Sequence, residues 1–289
     1  MNQPNQPNQL TLAQVVADFT HLPPLPEVVM ELMDYLQSDD VDAEEVQRML
    51  SQDQVLVAKS LRIANSSFYG LPRKVATIHD AIVVLGLRAV HTLVTTAAVT
   101  SLFQSMHAAL ETAGYNQRAF WLHSIGTAFC ARTLAREVAA NPESAFAAGL
   151  LHDIGYLILA ARFPEHFARM QTYSNQRDCL LLEAERTILG FDHAQIGAAL
   201  AQRWNFAPEI HEAISWHHAP EEQTANSLAG IVHLADVMAH ALNLSAEKAP
   251  LVPRLSTVVW NRLGLSWEDF SRLLGEVDAQ FKDAELLFH

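Results

Sequence analysis

Gly149-Leu150-Leu151-His152-Asp153-Ile154-Gly155 sets an imidazole and a carboxylate side by side within an otherwise apolar, helix-patterned stretch. A carboxylate on an apolar helical face is costly to bury without a partner. Candidate partners lie on other segments: His123 precedes the stretch, and His193, His217, His218 and Asp236 follow it. Most of them fall on predicted helices of their own. Such an ordered set has the composition of a metal site built between helices.

Working outward, the chain reads as helix after helix. Pro23, Pro24 and Pro26 open a helix in which Leu25, Val28, Val29, Leu32 and Leu36 share one face. Asp42 and Glu45 resemble a capping pair ahead of Val46, Met49 and Leu50. Val57, Leu61 and Ala64 continue the pattern up to the stop signal Asn65-Ser66-Ser67-Phe68-Tyr69-Gly70. Thr77 caps the next predicted helix, with Asp80 in its first turn, and Gly86 separates it from one carrying Val90, Leu93, Val94 and Ala97. Gly114-Tyr115-Asn116 marks a loop, and helical patterns resume over 117–139, 143–161, 177–189, 193–204, 208–217 and 226–242. The segment 219–226 reads as a polar loop, and Pro250 and Pro253 mark a break before C-terminal helices. Strict alternation and Asn-Gly or Asp-Gly hairpin pairs are missing. The predicted fold class is all-α.

The 289 residues are half hydrophobic and 18% charged, which suits a sizeable buried core. Residues 1–9, MNQPNQPNQ, form a polar repeat expected to be a disordered tail. The apolar runs look too interrupted to span a bilayer, since His152 and Asp153 break one and Arg88 and His91 another. The N-terminus lacks the basic-then-apolar order of a secretory signal. Cys130 and Cys179 read as neutral thiols rather than a disulfide framework, and the expected location is cytoplasmic. With 19 basic residues against 32 acidic ones, the net charge is −13. No basic run is present, so direct nucleic-acid binding is disfavoured and protein partners are favoured.

The minimum metal set is His123, His152, Asp153 and Asp236, with two nitrogens and two carboxylates. Neighbouring residues on a helix project about 100° apart, so His152 and Asp153 can face different helices. Asp153 can bridge two ions through its two oxygens, and His193, His217 and His218 would complete a second position. Two ions about 3.5–4 Å apart are a familiar arrangement for phosphate-ester hydrolysis. Mixed nitrogen and oxygen ligation suits Fe, Mn, Ni, Zn and sometimes Mg. A lone histidine on an apolar helix is more often a hydrogen-bonded core residue, and His79, His91, His107, His166, His211, His233 and His240 are read that way. Asp236 and His240 lie one turn apart, so an intrahelical pair competes for Asp236.

Phe120-Trp121-Leu122-His123-Ser124, the Gly149–Gly155 stretch, Asp192-His193-Ala194-Gln195-Ile196-Gly197, Trp216-His217-His218 and Ala235-Asp236 together resemble the HDOD branch of the HD superfamily. Leu22-Pro23-Pro24-Leu25-Pro26, Ser51-Gln52-Asp53, Ala64 to Gly70 and Asp80 to Leu87 are similar to that branch's N-terminal signature. The resemblance covers about residues 20–240. It implies an HD-like helical core behind an N-terminal helical subdomain, and a bacterial signalling role such as response regulation. The expected divisions are 10–113 for the N-terminal part, 114–245 for the metal-site part and 246–289 for C-terminal helices. The wider superfamily implies metal-dependent phosphohydrolase chemistry, whereas the HDOD branch is mostly regulatory. HD phosphohydrolases commonly carry a lysine shortly after the His-Asp pair, where this chain has Tyr156. Ala219-Pro220-Glu221 stands where cyclic-di-GMP phosphodiesterases continue into Gly-Tyr-Pro, so that activity is disfavoured. The leading expectation is a regulatory protein that contacts signalling proteins and has a metal-capable HD site. The alternative is an active phosphohydrolase on a nucleotide or other phosphate ester.

Overall fold

The structure is a computed structural model. It describes residues 10–35, 41–65, 69, 71, 73–223, 227–246 and 251–284. The expected tail at 1–9 lies outside these residues, as do Leu36, Ser66 to Phe68, Gly70 and Pro250. Among the described residues there is no strand, as the absence of alternation predicts.

The first half comprises α1 (Leu12–Asp18), α2 (Glu27–Tyr35), α3 (Ala43–Leu50), α4 (Gln54–Ala64), α5 (Ile78–Leu85), α6 (Leu87–Ser105) and α7 (His107–Thr112). The second comprises α8 (Gln117–Glu137), α9 (Pro142–Leu151), α10 (Ile154–Arg162), α11 (Pro164–Arg177), α12 (Leu181–Ile188), α13 (His193–Arg203), α14 (Pro208–Trp216) and α15 (Leu228–Ala241). Helices α16 (Thr257–Leu263) and α17 (Trp267–Ala284) follow.

Local chemistry sets most of the helix starts. Thr77 and Asp80 exchange side-chain and backbone hydrogen bonds in a capping box, and Asp192 and Gln195 do the same ahead of α13. Asp42 caps α3 alone, because Glu45 turns instead to Arg48. Asn65 ends α4 and clips the chain to Val75 through two hydrogen bonds of 2.8 and 2.7 Å. Gly86 and Gly114, at φ of +85° and +66°, make the turns read at those positions.

Three sequence expectations need correction. The segment read as one helix over 143–161 breaks into α9 and α10 at His152–Asp153. The His152 Nδ1–H donates to the Gly149 carbonyl at 2.7 Å, which occupies an acceptor at the end of α9. The segment 177–189 begins in a turn with Asp178 left-handed, and α11 fills the stretch before it, which had been left without a helix. The third concerns membranes. By length and composition alone, the helical stretch Pro142–Arg162 is long and apolar enough to cross one. In this fold, 78% of its most apolar window is buried in the protein, and it carries the His152–Asp153 pair.

Helix α8 lies at the centre. It packs closely on α9 and α15, while α10 packs on α13, and α13 on α14. Two glycines of the opening stretch permit this. A β-carbon on Gly149 would sit 2.9 Å from the Ala128 α-carbon on α8, and one on Gly155 would sit 2.1 Å from the His193 carbonyl oxygen on α13. The spacing of Gly149, His152, Asp153 and Gly155 therefore serves two ends. It brings α8, α9, α10 and α13 into backbone contact, and it places the polar pair at their junction. The first half covers this core through α6 against α9 and α1 against α13. The C-terminal helices close the far side, α17 on α8 and α16 on α15.

Candidate metal centre

The seven residues singled out in the sequence converge. His123 comes from the middle of α8, His152 ends α9, Asp153 precedes α10, His193 opens α13, His217 and His218 follow α14, and Asp236 lies on α15. Asp153 joins two groups. Its Oδ2 lies 3.2 Å from His152 Nε2 and 3.5 Å from His123 Nε2. Its Oδ1 lies 3.0 Å from His193 Nε2 and 3.6 Å from His217 Nε2. Asp236 Oδ1 completes the first group at 3.1 Å from His123 Nε2, and His218 Nε2 completes the second at 2.9 Å from His193 Nε2. Within Asp153, His193, His217 and His218 the possible ligand atoms all lie within 4.8 Å of one another, as they do within His123, His152 and Asp153.

The outer nitrogens orient the rings. His152 Nδ1–H donates to the Gly149 carbonyl, His217 Nδ1–H to the Ile214 carbonyl at 2.8 Å, and His193 Nδ1–H to Glu185 Oε2 at 2.7 Å. In the neutral ring this leaves each Nε2 as a lone pair aimed inward. The Nε2 atoms of His193 and His217 stand 3.4 Å apart, and those of His123 and His152 stand 3.3 Å apart. Between His193 and His217, whose Nδ1 protons are both committed, lone pairs facing at that range repel unless a proton or a cation lies between them. Asp236 Oδ1 is buried and has no hydrogen bond among the described residues, so it too has capacity for a cation. On these grounds the donor set fits divalent metal.

The electrostatics agree. Burial alone would lower His152, but Asp153 and Asp236 outweigh it and raise the ring to about 10. His193 rises well above its ordinary value against the same burial penalty, held there by Glu185 and Asp153. The Asp153 and Asp236 carboxyls stay well below the carboxylate range although burial opposes it, because imidazoles surround them. Burial lowers His217 and His218, and His193 beside them adds to the effect. Without an ion the cluster shares protons among its imidazoles, and metal binding displaces protons from such a set.

Two contributors escaped the sequence reading. Glu185, fully buried on α12, accepts from both the ring and the backbone N–H of His193. Its only sequence signal is an acidic residue next to the core residue Ala184. His240, read as a core residue, stands with Nε2 3.4 Å from Asp236 Oδ1 and its ring 4.5 Å from that of His123. The expected intrahelical pair exists, yet Asp236 still faces His123. His233 keeps its core role: its Nδ1–H donates to the His217 carbonyl at 2.9 Å, and its Nε2 accepts from the Ser256 N–H at 3.0 Å. Tyr156 packs almost flat on His193, with ring centroids 3.9 Å apart and planes at 22°. Burial, reinforced by Glu185 and Asp153, holds its phenol well above the usual range, so it remains neutral.

A cleft of about 430 Å³ opens onto the centre. His123, Asp153, His218 and Asp236 are among the residues that line it, and Tyr115, Phe120 and Phe167 form an aromatic group in its lining.

Histidines and aspartates drawn from α8, the α9–α10 junction, α13, α14 and α15 into one buried centre, with a cleft above it, define a helical protein of the HD superfamily. The chain belongs to the HDOD family, whose domain pattern matches residues 22–220. Among solved structures it is similar to a candidate phosphohydrolase from Shewanella amazonensis SB2B, with 28% identity, a TM-score of 0.75, and coverage of 95% of this chain and 98% of that one. It is also similar to a candidate signal transduction protein from Marinobacter aquaeolei VT8, with 25% identity, a TM-score of 0.75, and coverage of 98% of this chain and 62% of that one. An uncharacterized protein of Treponema pallidum (strain Nichols) is 28% identical over 218 residues, 73% of this chain. The chain spans 41% of that relative's length.

Proposed function

We propose that this chain holds divalent metal at the histidine–aspartate centre and acts there on a phosphate ester of a small molecule. The observation that carries the reading is the placement of Asp153. Its two oxygens each serve a separate histidine group, and the residue lines an open cleft. A bound pair of ions would supply Lewis acidity and charge neutralisation for an in-line displacement at phosphorus. His123, His152, Asp153 and Asp236 would hold one position, and Asp153, His193, His217 and His218 the other. The chain's own contribution is orientation. Gly149, Ile214 and Glu185 fix three imidazoles by their Nδ1 atoms, so that the Nε2 atoms need no reorganisation on binding. The neutral Tyr156 keeps a polar hydroxyl and a flat ring beside the second position without adding charge.

The test is metal analysis of protein purified without chelators, followed by assay of Mn-, Fe-, Ni- and Mg-loaded protein on a panel of nucleotides and simple phosphate esters. The expected outcome is stoichiometric metal with measurable turnover, both lost in Asp153→Ala. Trace amounts of every transition metal would sink the metal centre. Full metal without turnover on any ester would sink the hydrolytic step.

A regulatory reading rests on a different observation. Tyr156 stands where the HD resemblance implies a lysine, so the cationic group next to the His-Asp pair is missing. The likeness to the Marinobacter protein supports a signalling role of this kind, in which the metal ties helices together and output passes through contacts with other proteins. Full metal occupancy with no turnover favours this reading.

A further inference from the structure

Tyr156 leaves a charge problem at the site, and the fold places a cation elsewhere. Pro253 and Arg254 also line the cleft that opens onto His123, Asp153 and Asp236. Arg254 is the only lysine or arginine among the described residues lining it. Resting on the phosphate-ester reading above, we infer that Arg254 is the phosphate-binding cation of this site, and that its ligand is a phosphate monoester with a planar ring, of which a nucleoside monophosphate is the simplest form.

Two observations bear on Arg254. Its segment is pinned two residues later, where the Ser256 N–H donates to His233 Nε2 at 3.0 Å. His233 in turn donates to the carbonyl of His217 at 2.9 Å, so the arm carrying Arg254 is hydrogen-bonded to the backbone of a candidate ligand. Arg254 is also uncommitted. Arg132, Arg162, Arg186 and Arg272 are engaged by carboxylates, whereas Arg254 has no ion pair or side-chain hydrogen bond among the described residues. A guanidinium presents paired N–H donors that match two phosphate oxygens, and it keeps its charge at any relevant pH.

The aromatic lining of the cleft indicates the rest of the ligand. Tyr115 meets Phe167 edge-on at 5.1 Å and Phe120 at 5.9 Å, which makes an apolar face suited to a flat ring. Gln171 lines the same cleft with an amide donor and acceptor, and Asn116, whose Oδ1 caps α8 by accepting from the Ala119 N–H, adds its amide NH2 as a donor to a ring edge. Arg254 lies outside residues 22–220, so the family pattern could not locate it.

Calorimetry on the metal-loaded full chain tests the inference, with AMP, inorganic phosphate and adenosine as probes. Arg254→Ala should weaken AMP and phosphate binding roughly ten- to a hundredfold. Adenosine binding and metal content should not change. Arg254→Lys should recover part of the loss, and the loss should shrink as salt is raised. AMP bound equally well by wild type and Arg254→Ala would overturn the role of Arg254 while leaving the metal reading intact. No binding of any phosphate probe by metal-replete wild type would overturn this inference and the phosphate-ester reading together.

Discussion

At the residue scale, the centre depends as much on the groups behind the imidazoles as on the imidazoles. His193 shows why. Glu185 accepts from the Nδ1–H at 2.7 Å and from the backbone N–H at 3.3 Å, so one carboxylate fixes both the ring and the start of α13. Burial pushes the Glu185 carboxyl up, and His193 beside it pulls it back down. Replacing this carboxylate with the isosteric amide removes its charge and most of its pull on the Nδ1 proton. Glu185→Gln should therefore weaken metal binding roughly ten- to a hundredfold while leaving the helix content unchanged. Competition against a chelating dye, paired with circular dichroism, measures both. Unchanged affinity would mean that His193 is not a ligand. His233 makes a useful contrast: both its ring nitrogens are engaged, one with the His217 carbonyl and one with Ser256, so it positions residues and has no free nitrogen for an ion.

At the element scale, the decisive feature is the break between α9 and α10. The sequence pattern runs straight through it, because Leu150, Leu151, Ile154, Leu157 and Ile158 keep an apolar helical rhythm. The break arises when His152 caps Gly149 with its own side chain, and Asp153, at φ −100° and ψ 10°, starts α10 without capping it. The Asp153 carboxylate is thereby free for the site. Gly155 lets α13 approach until its backbone touches α10. Gly155→Ala would place a methyl group 2.1 Å from the His193 carbonyl oxygen, a contact with no flexible partner to yield. The expected cost is about 3 kcal/mol, together with loss of metal, because α10 must move away from α13 and take Asp153 with it. Urea unfolding and metal analysis report the two effects, and a variant of wild-type stability would refute the close approach.

At the scale of the whole molecule, the N-terminal helices are fastened to the core at the far end of the helix that Asp153 begins. Arg162, at the end of α10, grips Asp18 at the end of α1 through hydrogen bonds of 2.6 and 3.0 Å. The hydrogen bond from Arg162 is the main reason that the Asp18 carboxyl sits below its ordinary value. A carboxyl depressed in the folded state adds stability above its unfolded value, about 3.9, and loses that contribution as pH falls through the folded one. Solvent screening keeps the worth of such a pair to about 1 kcal/mol or less. Asp18→Asn should therefore be less stable than wild type at pH 7, and the two should converge in acid. Denaturation at pH 7 and at pH 3 reads the difference. A gap that persists in acid would assign the effect to packing.

Much of this molecule was legible before any tertiary information. Apolar spacing and the cap at Thr77 and Asp80 depend on interactions within a few residues, so they can be read along the chain. The seven candidate ligands were legible for a related reason: ionisable groups on apolar helix faces must find partners, and these seven could partner one another. The missed features act between segments. Glu185 and His240 look like ordinary helix residues until α12 meets α13 and α15 meets α8. Arg254 is an unremarkable exposed arginine until the 251–256 segment folds back over the cleft. Local chemistry along the backbone settled most of the helical segments, though not the break at His152–Asp153 or α11, and which residues were available for a metal. Only packing settled which of them meet, because a contact across some tens of residues depends on shape and burial that no short-range pattern encodes.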